Sequence, residues 1–216
     1  MPGPWDTEED TQLDWPIERI LETVARIELD DGLVFWTEDM HPEPIRDGQR
    51  YGGARVTLRG DLGGARVHVV IDTGEGDVVS PRAEVVRVPV LLDAFAVPNL
   101  LCVPVETVVA EKLDALLELG LANSRLKDYF DLWLLASRNP FDLRTLTTAC
   151  RQTRRRRGRG PLNSGRPDEG PVGGLSSDFV RRNSVMWRAK WVGLQAVPEL
   201  QQVIELVSIF VAPVLE

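Results

Sequence analysis

Residues 106–133 read ETVVAEKLDALLELGLANSRLKDYFDLW. In Thr107–Leu119, Val109, Ala110, Leu113 and Leu116 recur at helical spacing, and Gly120 suits a helix end. Ser124 is a good N-cap for a second helix, Arg125–Ser137, whose apolar positions are Phe130, Leu132, Trp133, Leu134 and Leu135. Asp128 and Asp131 are three apart and share a helix face. Arg125 lies three before Asp128 and Lys127 four before Asp131, spacings that allow ion pairs worth a few tenths of a kcal/mol. Carboxylates beside an apolar block need a partner: a basic ligand, a metal or a neighbouring lysine. Lys112 stands at the edge of the first helix's apolar face, where an amine either meets phosphate as a point charge or snorkels to water. The chain has 25 basic residues, and only Lys112, Lys127 and Lys190 are lysine. Two of the three fall in this one stretch.

Upstream, the pattern changes from helical to alternating. Tyr51–Arg59 and Ala65–Asp72 flank the turn residues Asp61–Gly64 and predict a hairpin whose second strand ends in a buried run, Val67, Val69, Val70 and Ile71. Asp72 closes that strand. A carboxylate there can bind a divalent metal or act as a base, and Asp-Thr-Gly is equally good turn chemistry. A glycine-rich loop, Thr73–Asp77, follows, then a strand over Val85–Val90 and a short apolar run at Leu100–Val103. Further forward lie an acidic leader (1–15), a helix from Pro16 to Leu29, the apolar Leu33–Trp36 and a Pro-rich loop to Gln49.

Downstream, helices are predicted over Leu143–Thr153, Ser177–Leu194 and Pro198–Phe210, with Arg154–Gly174 as a loop. Seven arginines and no acid lie between 151 and 166. They read either as a phosphate-binding run or as a solvated loop; no aromatic residue interleaves for base stacking.

The 216 residues, 43% hydrophobic, exclude a disordered chain, and no run of about 20 apolar residues occurs to span a bilayer. The acidic start is unlike a signal peptide, and two cysteines make no disulfide framework, so the expected location is a reducing cytoplasm. The net charge of −8 hides a gradient, from −11 over residues 1–47 to +5 over residues 151–216. An acidic front with a basic rear points to an anionic partner for the rear. His41 and His68 lack metal-ligand spacing, and there is no Walker A, GxSxG or GxGxxG sequence. His68 alternates with valines and is expected to face solvent.

The order of these motifs resembles the AbiEii/AbiGii toxin family. It is carried by Tyr51–Val56 (YGGARV), Ile71–Pro81 (IDTGEGDVVSP), Glu106–Leu116 and Asn123–Trp133, and by Leu175-Ser176, Phe179 and Trp187 further on. The resemblance runs from about residue 17 to the end. It implies a nucleotidyltransferase-like toxin of an abortive-infection or type IV toxin–antitoxin system. The implied fold is α+β: a polymerase-β-like core with a mixed sheet over 16–104, then a helical domain over 105–216 with an Arg-rich loop at 151–174.

By motif match, Asp72 is a core carboxylate serving a Mg²⁺ ion or the attacking hydroxyl, and Lys112 contacts nucleotide phosphates. Asp128, flanked by Lys127 and Asp131 and preceded by Arg125, forms the helical-domain site. The implied partners are an NTP, an acceptor such as tRNA or another RNA, and a cognate antitoxin, with no membrane. The family's Gly-Ser turn and Asp-x-Asp strands have no counterpart before Asp72, so the core is expected to be incomplete and transfer impaired. Two other readings stay open: a non-catalytic remnant that binds nucleotide, RNA or antitoxin, and a metal-dependent nuclease using Asp72, Glu111 and Lys112.

Overall fold

The alternating stretch folds as a hairpin. β3 (Gly53–Leu62) and β4 (Ala65–Gly74) pair antiparallel over their whole length, from Gly53 opposite Gly74 to Leu62 opposite Ala65. Gly63 and Gly64 both have positive φ (58° and 92°), as a tight two-residue turn requires, and Asp61 Oδ1 accepts from Gly64 N at 2.9 Å. This is a computed structural model. It describes residues 31–36, 38, 40, 42–44, 53–74, 76–119, 125–164, 177–194 and 196–216. The leader, the Pro16–Leu29 helix, Gly120, Ser124 and Arg166 lie outside the described residues.

The chain divides into two compact units, 1–76 and 77–216. In the first, β1 (Leu33–Trp36) and β2 (Pro42–Pro44) pair along β3 on the edge away from β4, β1 against residues 59–62 and β2 against 54–56. β2 lies within the expected Pro-rich loop; an edge strand tolerates proline because one row of its N–H groups needs no partner. The expected mixed sheet is antiparallel in every described pairing. Tight connections such as Gly63-Gly64 permit only that arrangement, since a parallel pair needs a crossover. Val56 and Leu58 form the core here, covered by Phe35, Met40, Val69 and Ile71. Val70 is 55% exposed, so β4 alternates to its end and has no doubly buried run. His68 is exposed, as expected.

The second unit begins with a hairpin of β5 (Glu84–Arg87) and β6 (Asn99–Cys102). Among the described residues, five α-helices follow: α1 (Val105–Leu119), α2 (Leu126–Arg138), α3 (Leu143–Arg156), α4 (Ser177–Lys190) and α5 (Leu200–Leu215). α5 is the most apolar of them. It buries Val203, Ile204, Val207, Val211 and Val214 against α2, α3 and α4. Val109, Ala110, Leu113 and Leu116 of α1 are buried in the same cluster, the face that their spacing selects. Tyr129, Phe179 and Trp187 complete it, and Trp187 Nε1 donates to Pro198 O at 3.0 Å.

Two helices run further than their sequences suggest. α3 continues to Arg156, so Arg154–Arg156 are helical and the Arg-rich loop starts only at Arg157. α5 continues through Pro213 to Leu215, since proline one turn from the end removes a single helix bond. The residue at the N-cap of α2 is Arg125, with no side-chain cap. Asp142 does cap α3, accepting from Thr145 N at 2.8 Å.

Candidate functional site

Helix α1 packs on α2, and the polar residues at this contact form one ion-paired cluster. Lys112 Nζ donates to Asp131 Oδ2 at 2.6 Å and to Asp128 Oδ1 at 3.3 Å. Asp128 is only 2% exposed, so its charge depends on these cations. Its Oδ2 lies 2.8 Å from Arg125 Nε, close enough for an ion pair but off the line that a hydrogen bond needs. Lys112 is therefore not a snorkelling lysine: its ammonium turns to a buried carboxylate. Beside it, burial and the Asp128 charge both push the Tyr129 phenol well above its ordinary value and keep it neutral.

The structure thus brings together Lys112, Asp128, Asp131 and Arg125. Lys127 does not join them. It is exposed, and the expected Lys127–Asp131 pair is absent, because Asp131 turns to Lys112 instead. Interhelical pairing wins here because α1 delivers an amine where intrahelical spacing supplies only an exposed partner.

Asp72 belongs to the other unit and has a different partner. Directly across the hairpin, Arg55 donates Nε to Asp72 Oδ1 at 2.7 Å and Nη2 to Oδ2 at 2.8 Å. This two-pronged contact holds the Asp72 carboxyl below the usual carboxylate range. Both oxygens of Asp72 are engaged in this cross-strand ion pair. Among the described residues, no group of three or more His, Cys, Asp or Glu is placed to hold an ion. The turn beyond is pinned by Thr73, whose Oγ1 donates to Ala54 O and accepts from Ala54 N.

A second cluster has no counterpart in the sequence reading. Asp114, 1% exposed, accepts from Arg154 Nη1 at 3.2 Å, Arg157 Nη1 at 2.9 Å and Arg159 Nη1. Arg154 also donates Nε to Gly160 O, and Arg157 reaches Asp77 Oδ1 at 3.0 Å. Three of the run's arginines are thereby structural, fastening the end of α3 to α1. The sequence does carry a signal for it: Asp114 shares the helical repeat of Ala110, Leu113 and Leu117, so a carboxylate there has to be buried and paired. Burial and the Asp114 charge push the neighbouring Cys150 thiol up to about 12. Glu111 is raised too, by burial first and then by Asp77.

Against known proteins, residues 13–198 match the family model described as nucleotidyl transferase AbiEii toxin, type IV TA system. The chain belongs to this family. No curated protein and no solved structure matches it. AbiEii membership makes the protein a nucleotidyltransferase-like toxin of a type IV toxin–antitoxin system and implies an antitoxin partner. The α+β fold with its helical C-terminal part is consistent with that family. Among the described residues, no helix of this AbiEii chain is long and apolar enough to cross a membrane.

Proposed function

We propose that this AbiEii chain transfers nucleotides from an NTP to an acceptor RNA such as tRNA, in the cytoplasm, with Lys112 as the group that meets the triphosphate. The observation that supports this reading is Lys112 itself, a rare lysine anchored between Asp128 and Asp131 instead of left in solvent. An ammonium held this way is pre-aimed, and its remaining proton can bond a phosphate oxygen.

The two carboxylates play different parts. Asp128 is buried and, with Arg125, fixes the position of the ammonium. Asp131 is a fifth exposed and yields as phosphate arrives. The catalytic part proposed for Asp72 is to accept the proton of the attacking hydroxyl, which requires release from Arg55. Family resemblance implies Mg²⁺, but Asp72 as paired does not fit it.

The nuclease reading needs Asp72, Glu111 and Lys112 as one unit. Glu111, however, is governed more by Asp77 and Arg157 than by Lys112.

The test is incubation with labelled NTP and tRNA, read on a denaturing gel. Lengthened RNA, lost in Lys112→Ala and in Asp128→Ala, is the expected result. Shortened fragments would establish the nuclease, and RNA or antitoxin binding without any covalent change would establish the binding remnant.

A further inference from the structure

The arginines that do not hold Asp114 have a setting of their own. A cleft of about 480 Å³ opens where the C-terminal half of α3 meets the 160–163 turn and the end of α5. Arg151, Arg154, Arg155, Arg159 and Asn163 line it, with Glu216 as the one acidic residue. Arg154 and Arg159 are committed to Asp114 and form one wall.

Arg151 and Arg155 are different. Both are exposed, and neither side chain has an ion-pair or hydrogen-bond partner among the described residues. They stand four apart on α3, where like charges repel by a few tenths of a kcal/mol. The dipole at the end of α3 offsets part of this for Arg155 and less for Arg151 one turn earlier. Two guanidinium groups without a side-chain partner among the described residues, one helical turn apart over a cleft with an amide donor, suit the chemistry of successive phosphates.

We infer that this cleft binds the phosphodiester backbone of the acceptor RNA, with Arg151 and Arg155 each meeting one phosphate and Asn163 donating from the opposite wall. The inference rests on the reading that the acceptor is RNA, and it assigns that RNA a contact surface separate from Lys112. The cleft has no aromatic lining, so it grips backbone and does not read bases. The arginine run is divided accordingly. Arg154, Arg157 and Arg159 fasten α3 to α1, while Arg151 and Arg155 face the ligand.

The experiment is binding of a fluorescent single-stranded RNA, by anisotropy, across a salt series and without NTP. Arg151→Ala/Arg155→Ala should weaken binding roughly tenfold or more at 0.1 M salt. It should also lower the slope of log affinity against log salt by about 1.4, two phosphate contacts' worth. Both positions are exposed, so the thermal midpoint should be unchanged. Arg151→Lys/Arg155→Lys should restore the slope. An alanine variant with wild-type affinity and slope would overturn the inference, and so would a wild type that binds no RNA. ATP binding by calorimetry should be unaffected; its loss in place of RNA binding would reassign the cleft to free triphosphate and overturn the RNA assignment. Lys112→Ala should still bind RNA. If transfer proves independent of Lys112 while the arginine effect holds, the triphosphate role of Lys112 fails and the cleft assignment stands.

Discussion

Lys112 of α1 and Asp131 of α2 are joined by a 2.6 Å hydrogen bond, and the same ammonium reaches the buried Asp128. Nineteen residues separate Lys112 from Asp131 in sequence. The contact makes the packing of two amphipathic helices a precondition for the site: α1 cannot shift along α2 without moving the amine off both carboxylates. An amine so placed is ordered before any nucleotide arrives, and the entropy of ordering a long side chain is already met by folding.

Asp114 should be the most stability-critical polar residue of the helical unit. Asp114→Ala leaves the nearly buried Arg154 without its carboxylate and takes one ion pair each from Arg157 and Arg159. Breaking such a cluster from one side costs about 3–5 kcal/mol. Urea denaturation followed by circular dichroism should show that loss, and a change below about 1 kcal/mol would mean the arginines find other partners.

Glu111 should make stability fall as pH rises. Its carboxyl is raised in the folded chain, by burial and by Asp77, so the native state holds a proton that the unfolded state has released. Stability attributable to this group is full below the ordinary carboxylate range and declines as pH climbs through the raised value. Glu111→Gln should therefore stabilise the protein at pH 7 and have little effect at pH 4. Thermal midpoints at the two pH values check this; equal shifts at both would contradict it.

Asp72→Asn should lower the rate of transfer by about 10² to 10⁴, the range for losing a general base, with little change in KM for the NTP. The residue is half exposed, so the thermal midpoint should stay close to wild type. Steady-state kinetics with varied NTP separates the two parameters. A purely structural cross-strand pair would leave kcat untouched.

The fold is largely legible in the sequence because helical and alternating periods differ so clearly. Val109, Leu113 and Leu116 mark the buried face of α1, and Val67, Val69 and Ile71 the covered face of β4. Pairing across elements is not legible. Spacing alone ties Asp131 to Lys127, four residues back on the same helix, whereas tertiary packing hands it to Lys112. Arg55 and Asp72 likewise meet only once the hairpin register is set. The arginine run reads as loop because Gly158, Gly160 and Pro161 punctuate it, yet arginine is a good helix former and α3 runs on to Arg156. Asp114 escapes notice because it lies inside an apolar stripe, the position where a carboxylate most needs an explanation.

In the proposed transfer, Lys112, fixed by Asp128 and Asp131, engages the NTP. Single-turnover transfer of a labelled nucleotide to tRNA, comparing wild type with Lys112→Ala and Lys112→Arg, tests it most directly. Loss of one aimed cation from a reacting phosphate should slow the alanine variant by about 10² to 10³, with the arginine variant recovering part of the rate. Transfer by Lys112→Ala at the wild-type rate would contradict this role for Lys112.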